Sequence, residues 1–203
     1  MPSSPTIPPP GFLEWWEENV TVLPNQTIED WRALPEGTRA ELINGTIVMS
    51  PAPRVLHQVV VARFYDLLSE HVRAHDLGLV LLSPLDVKLT DTRAFQPDVV
   101  FIAADRLGIL GEQEVEGAPD LVAEVLSPST GYYDATAKRL AYAEAGVREL
   151  WLLDPGEHTV DLLVLDDDDF RLAGRVVGRG AVESVLMPGL AVEADGLFTW
   201  PGA

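Results

Sequence analysis

Cysteine is absent from the 203 residues, and lysine is nearly so. The first absence removes disulfide frameworks, thiolate zinc sites and cysteine nucleophiles together, and makes the cytoplasm the expected setting. The second confines any chemistry that demands a primary ammonium to Lys88 or Lys138. Positive charge is scarce altogether: 14 Lys and Arg stand against 32 Asp and Glu, for a formal net charge of −18. Proteins that hold nucleic acid tightly draw much of their affinity from a basic face that neutralises phosphates. The overall field therefore excludes strong, non-specific duplex binding, while it suits divalent cations. Long apolar runs are missing too, with none near the ~20 residues of a membrane span. The segment Met1–Pro10 has neither the basic nor the apolar stretch of a secretory signal.

What is present reads as one folded unit. With 47% hydrophobic residues the chain can fill one sizeable core. Residues 1–24 form a proline-rich tail and lead-in, and 25–203 a single domain. Thr27, with Asp30 three residues on, opens a short helix through a capping box. Glu41–Met49 is a hairpin about Asn44-Gly45, whose residues accept the positive φ of a type I′ turn. Apolar residues recur at three and four from Val55 to Ala74, which predicts an amphipathic helix. Short strands follow at Leu79–Leu82, Asp86–Leu89 and Asp98–Ala103, the last two joined by a turn-rich stretch. Asp120–Leu126 is a near-continuous apolar run of the kind a central strand shows. A helix over Ala135–Ala145 stops at Gly146. The strand Glu149–Leu153 and a carboxy-terminal hairpin (Thr159–Leu165 with Phe170–Val177, about the acidic turn Asp166–Asp169) complete the order. The expectation is an α/β fold with a mixed sheet flanked by helices.

Two carboxylates stand out. Glu124 interrupts an apolar strand, where an ionised group costs several kcal/mol unless paired or coordinated. Asp98 begins a strand straight after Pro97. Carboxylates ending neighbouring strands on one side would make the hard-oxygen site that Mg²⁺ takes. The alternatives are an arginine salt bridge for Glu124 and a plain strand-start role for Asp98. Asp134, Lys138 and Tyr142 recur at four-residue spacing and share a helix face, either over the end of that strand or as a solvated surface pair. Lys88, ahead of Asp98, is the other candidate ammonium. His57 reads as a solvated first-turn residue or as a phosphate-side group. His71 and His75 lack a zinc pattern. Trp15, Trp16 and Trp31 read as lid or interface anchors.

Several of these pieces resemble one family. They are Glu41–Pro51, the helix opening with His57-Gln58, Pro97-Asp98-Val-Val, Leu121-Val-Ala-Glu124-Val-Leu-Ser-Pro-Ser-Thr, Asp134-x3-Lys138-x3-Tyr142 and Gly146-Val-Arg-Glu-Leu-Trp-Leu-Leu-Asp154-Pro. In this order they are similar to the Uma-two type restriction endonuclease family, within the PD-(D/E)xK nuclease superfamily. The resemblance implies a restriction endonuclease-like core and a metal-dependent endonuclease acting on DNA. It implies Asp98 and Glu124 as ligands of Mg²⁺, with Mn²⁺ able to substitute, and Lys138 as the catalytic lysine. Glu41, near the end of the first helical segment, is a further acidic candidate; with it, His57, Asp134 and Tyr142 are accessory ones. The superfamily pattern sets its lysine two residues after the glutamate, where this chain has Leu126, so the lysine has to come from the following helix. DNA contact is expected to be weak and metal-dependent, a homodimer is expected by analogy, and no membrane association is expected. The competing expectation is a catalytically silent relative that keeps the fold for binding.

Overall fold

The computed structural model describes residues 12–127 and 137–200. The amino-terminal part holds α1 (Phe12–Asn19), β1 (Thr21–Pro24), α2 (Ile28–Arg32), β2 (Ala40–Ile43) and β3 (Thr46–Met49). Thr27 caps α2 through the reciprocal box with Asp30. The β2–β3 hairpin turns on Asn44 and Gly45 at φ of 49° and 77°. The long helix α3 runs over Val55–Ala74, as the spacing predicts. After it come β4 (Gly78–Leu82), β5 (Asp86–Thr90), β6 (Arg93–Phe95), β7 (Val99–Ala103), a 3-10 turn at Ala104–Ile109, β8 (Glu114–Glu116) and β9 (Leu121–Val125). The remainder is α4 (Arg139–Ala145), β10 (Glu149–Asp154), β11 (Thr159–Asp166), β12 (Asp169–Val177), β13 (Ala181–Glu183), β14 (Ala191–Glu193) and α5 (Ala194–Leu197). Among the described residues no helix is long and apolar enough to cross a membrane.

Two six-stranded sheets carry the fold, in the orders β1-β3-β2-β6-β5-β8 and β12-β11-β10-β9-β7-β4. Pairing is antiparallel except for β9 with β10 and β5 with β8. A parallel neighbour needs a crossover, and the segment that includes α4 supplies it for β9 and β10. The strands at Asp86 and Asp98 do not pair as neighbours. The stretch between them contains β6, which pairs with β5 and β2, so β5 and β7 end up in different sheets. A three-residue strand is too short for periodicity to reveal.

The second sheet is buried on both faces. Val99, Phe101, Leu121, Ala123 and Val125 meet Val60, Phe64, Leu68 and Val72 of α3 in one core. The alternate residues Val100, Ile102 and Val122 face Val87, Phe95 and Val115 of the first sheet and Ala141 and Tyr142 of α4 in another. A third cluster packs Ile28 and Trp31 against Ala40, Leu42, Ile47 and Ala94. Trp31 is thus a core residue, donating from Nε1 to the Ala40 carbonyl at 2.9 Å, rather than a lid or interface anchor.

Candidate active site

Strand alternation decides where the two anomalous acids go. Val99 lies opposite Ala123, and Val100 opposite Val122. One further step of that register sets Asp98 against Glu124, on the face shared with Val100 and Val122. That face looks toward the first sheet and α4. Both carboxylates are buried, and both line one cleft at the carboxyl end of β9. Glu41 of β2, His57 of α3, Gln96 and Lys138 complete its polar lining, with Arg39, Val48, Ser50 and Val125. Its volume is about 60 Å³.

Each acid has its own donors. Asp98 Oδ2 accepts the Val125 backbone N–H at 2.8 Å and lies 3.3 Å from His57 Nε2. Glu124 Oε1 accepts the Tyr142 hydroxyl at 2.6 Å and lies 3.3 Å from Lys138 Nζ. Glu41 Oε1 accepts the Gln96 backbone N–H at 3.0 Å and meets Lys138 Nζ at 2.7 Å. Lys138, itself buried, therefore bridges Glu41 and Glu124. It comes from the helix after the strand, while Leu126 at the superfamily's usual lysine position is half-buried. The cation beside Glu124 is this lysine. Burial and the Glu124 carboxylate push the Tyr142 phenol well above its ordinary range, so its proton stays in place to donate.

His57 is not a solvated first-turn residue. Its side chain is 12% exposed beside Asp98, and its Nδ1 is buried without a hydrogen-bond partner. Lys88 stays outside the cleft, paired to Asp91 at 2.8 Å. Asp134 lies outside the described residues. Two lining residues escaped the sequence reading. Gln96 had only its place before Pro97-Asp98 to mark it; its side chain donates to Asp86 at 2.8 Å. Arg39 stands two residues before Glu41, the spacing that puts side chains on one face of a strand.

Among the described residues no three His, Asp or Glu side chains form a closed metal cage. Two carboxylates beside a small open cleft still fit Mg²⁺, which commonly binds one or two carboxylates and completes its shell with water and phosphate. The residue charges agree: Glu41, Asp98 and Glu124 bring three negative charges, against two on Lys138 and Arg39.

Fold and cleft together define a mixed-sheet α/β protein with carboxylates and a lysine gathered at strand ends. Residues 26–194 match the Uma2 family, described as "Putative restriction endonuclease", and the chain belongs to that family. Among solved structures it is similar to one titled as a "putative nuclease belonging to DUF820" from Anabaena variabilis, at a TM-score of 0.70 and 23% identity over 85% of this chain and 97% of that one. No curated protein matches it.

Proposed function

We propose that the protein is a metal-dependent endonuclease that hydrolyses phosphodiester bonds in DNA. The observation that carries this reading is the pairing of buried Asp98 and Glu124 across β7 and β9, beside an ammonium and an open cleft. Asp98 and Glu124 would hold Mg²⁺, or Mn²⁺ in its place. Bound there, the ion would polarise a phosphoryl oxygen and make a water more acidic. Lys138 orients the attacking water or offsets the charge that develops on the phosphate. Tyr142 fixes one oxygen of Glu124. Glu41, held by the Gln96 N–H, keeps the lysine aimed. Residues 25–203 act as one catalytic domain in the cytoplasm, and two copies pair to cut both strands.

Incubation with supercoiled plasmid tests the reading. Wild type should nick it with Mg²⁺ or Mn²⁺ and not in chelator. Asp98→Asn and Glu124→Gln should each lose at least about 10²-fold in rate, the scale of one preorganised transition-state contact. A wild type that cuts no nucleic acid with either metal would replace the enzyme with a silent, binding-only relative.

A further inference from the structure

The chain's cations are almost all occupied. The arginines at 32, 93, 106, 139, 148, 171, 175 and 179, with both lysines, meet carboxylates. Arg63 and Arg73 donate to backbone carbonyls. Among the described arginines and lysines, only the side chains of Arg39 and Arg54 have neither a hydrogen bond nor an ion pair. In a chain with 32 acidic residues, two exposed guanidinium groups left without any partner form an unusual pair. Their placement gives them a use. Arg39 lines the cleft from the side of the first sheet, two residues before Glu41. Arg54 is the residue before α3, three residues ahead of the lining residue His57. The first turn of α3 contains no acid. A guanidinium presents a planar fork of donors that matches phosphate oxygens.

We propose that Arg39 and Arg54 clamp the phosphates on either side of the bond to be cut, so that the cleft takes a polynucleotide strand and not a lone phosphate ester. The inference rests on the nuclease reading and adds the means by which a protein of charge −18 engages a polyanion. The field elsewhere repels the strand, and the two arginines supply attraction only where the carboxylates and Lys138 wait. Because neither side chain supports the fold, replacing both should leave thermal stability unchanged within the small range of exposed sites.

The experiment measures duplex binding by wild type and by the double variant Arg39→Gln/Arg54→Gln across salt concentrations. The probe is a short phosphorothioate-linked DNA duplex, with Mg²⁺ present. Each lost phosphate contact lowers the slope of log K against log salt by about 0.9. The double variant should lose about 1.8, so that its deficit against wild type shrinks about twelvefold between about 50 and 200 mM salt. An exposed arginine elsewhere, in the variant Arg179→Gln, should leave the slope in place. An unchanged slope in the double variant overturns the clamp, and leaves the nuclease reading standing if wild type still binds and cuts. An equal loss in Arg179→Gln also overturns it, by assigning the effect to the general field. A wild type that binds no duplex at about 50 mM salt overturns the clamp and the nuclease reading together.

Discussion

The sheet that contains β7, β9 and β10 buries acids at both ends, and treats them differently. At the amino end of β9 and β10, Glu149 accepts the backbone N–H groups of Val185 and Leu186 at 2.6 and 2.5 Å, the Ser184 hydroxyl, and Trp151 Nε1 at 3.2 Å. Asp120, fully buried nearby, accepts the Ala103 N–H at 2.9 Å and lies 2.9 Å from Arg106 Nη1. At the other end Asp98 and Glu124 meet donors from α3, β9 and α4, beside open volume. Burial of a carboxylate is common to the two ends and so identifies neither. What separates the ends is the space and, between Glu149 and Glu124, the kind of donor. Main-chain N–H groups saturate Glu149 and fix it in place, whereas an ammonium on a flexible stem can exchange partners when a ligand enters. The open end is also the carboxyl end of the parallel pair, where α/β sheets generally receive ligands.

Substitutions at the two ends should therefore move opposite readouts. Glu149→Ala strands two backbone donors and a hydroxyl, and should cost about 3–5 kcal/mol, the range for breaking a buried charged network. Denaturant melts would show this, with the remaining folded fraction cleaving at an unaltered rate. Glu124→Gln should change stability by less than about 1 kcal/mol, because the shape is kept and Lys138 retains Glu41. Its cost falls on turnover. If Glu124→Gln proved the more destabilising of the two, the open end would be a structural ion pair and the contrast would collapse.

Lys138 sharpens the comparison from inside the cleft. Read from sequence, its removal should touch only catalysis. The geometry adds a stability term, since Lys138→Ala leaves Glu41 and Glu124 facing each other without their cation. Glu41 keeps the Gln96 N–H and Glu124 keeps the Tyr142 hydroxyl, so the cost should be about 2–3 kcal/mol, below that of Glu149→Ala. Mg²⁺ should restore part of that loss, because binding to the folded state alone raises its stability. Thermal melts with and without Mg²⁺ should show a larger upward shift for Lys138→Ala than for wild type. Equal shifts would mean that the lysine and the metal do not share a site. Turnover should still fall by about 10²–10³.

The sequence made one end legible and hid the other. Glu124 drew attention because it interrupts a strand whose other residues are apolar, and Asp98 because it follows Pro97. Asp120 and Glu149 are as deeply buried, yet each merely precedes an apolar run and reads as its polar boundary. Apart from Trp151, their donors come from residues 184–186, from Ala103 and from Arg106, more than ten residues away in the chain. The helix at 55–74, the Thr27 cap and the Asn44-Gly45 turn were legible because each is decided by residues within one or two turns of one another. The first sheet was not, because β6 and β8 have three residues each and make sense only as neighbours of β5. His57 had the same difficulty: nothing near it in sequence indicates that α3 delivers it to Asp98.

Asp86 offers the smallest and most specific test of the distinction between fixed and exchangeable acids. It is half-buried on β5, accepts the Gln96 side chain at 2.8 Å, and lies outside the cleft lining. Burial raises its carboxyl above the usual value of 3.8; the Gln96 hydrogen bond works against that rise, and nearby Glu114 adds to it. A folded-state value above the unfolded one means that the folded protein binds the proton more readily. Stability attributable to this group is therefore complete below 3.8 and declines as pH rises through the raised value. Asp86→Asn keeps the acceptor for Gln96 and removes the charge. It should raise Tm near neutral pH by about 1–2 °C, since half-exposed sites contribute about 0.5 kcal/mol and 1 kcal/mol moves Tm by about 2–4 °C at this size. The gain should vanish in melts below 3.8, where both states of the wild type are already protonated. Plasmid cleavage should be unaffected, because the charge removed is not one of those gathered around Lys138. A loss of cleavage comparable to that of Glu124→Gln would extend the exchangeable end of the molecule through Gln96 to Asp86.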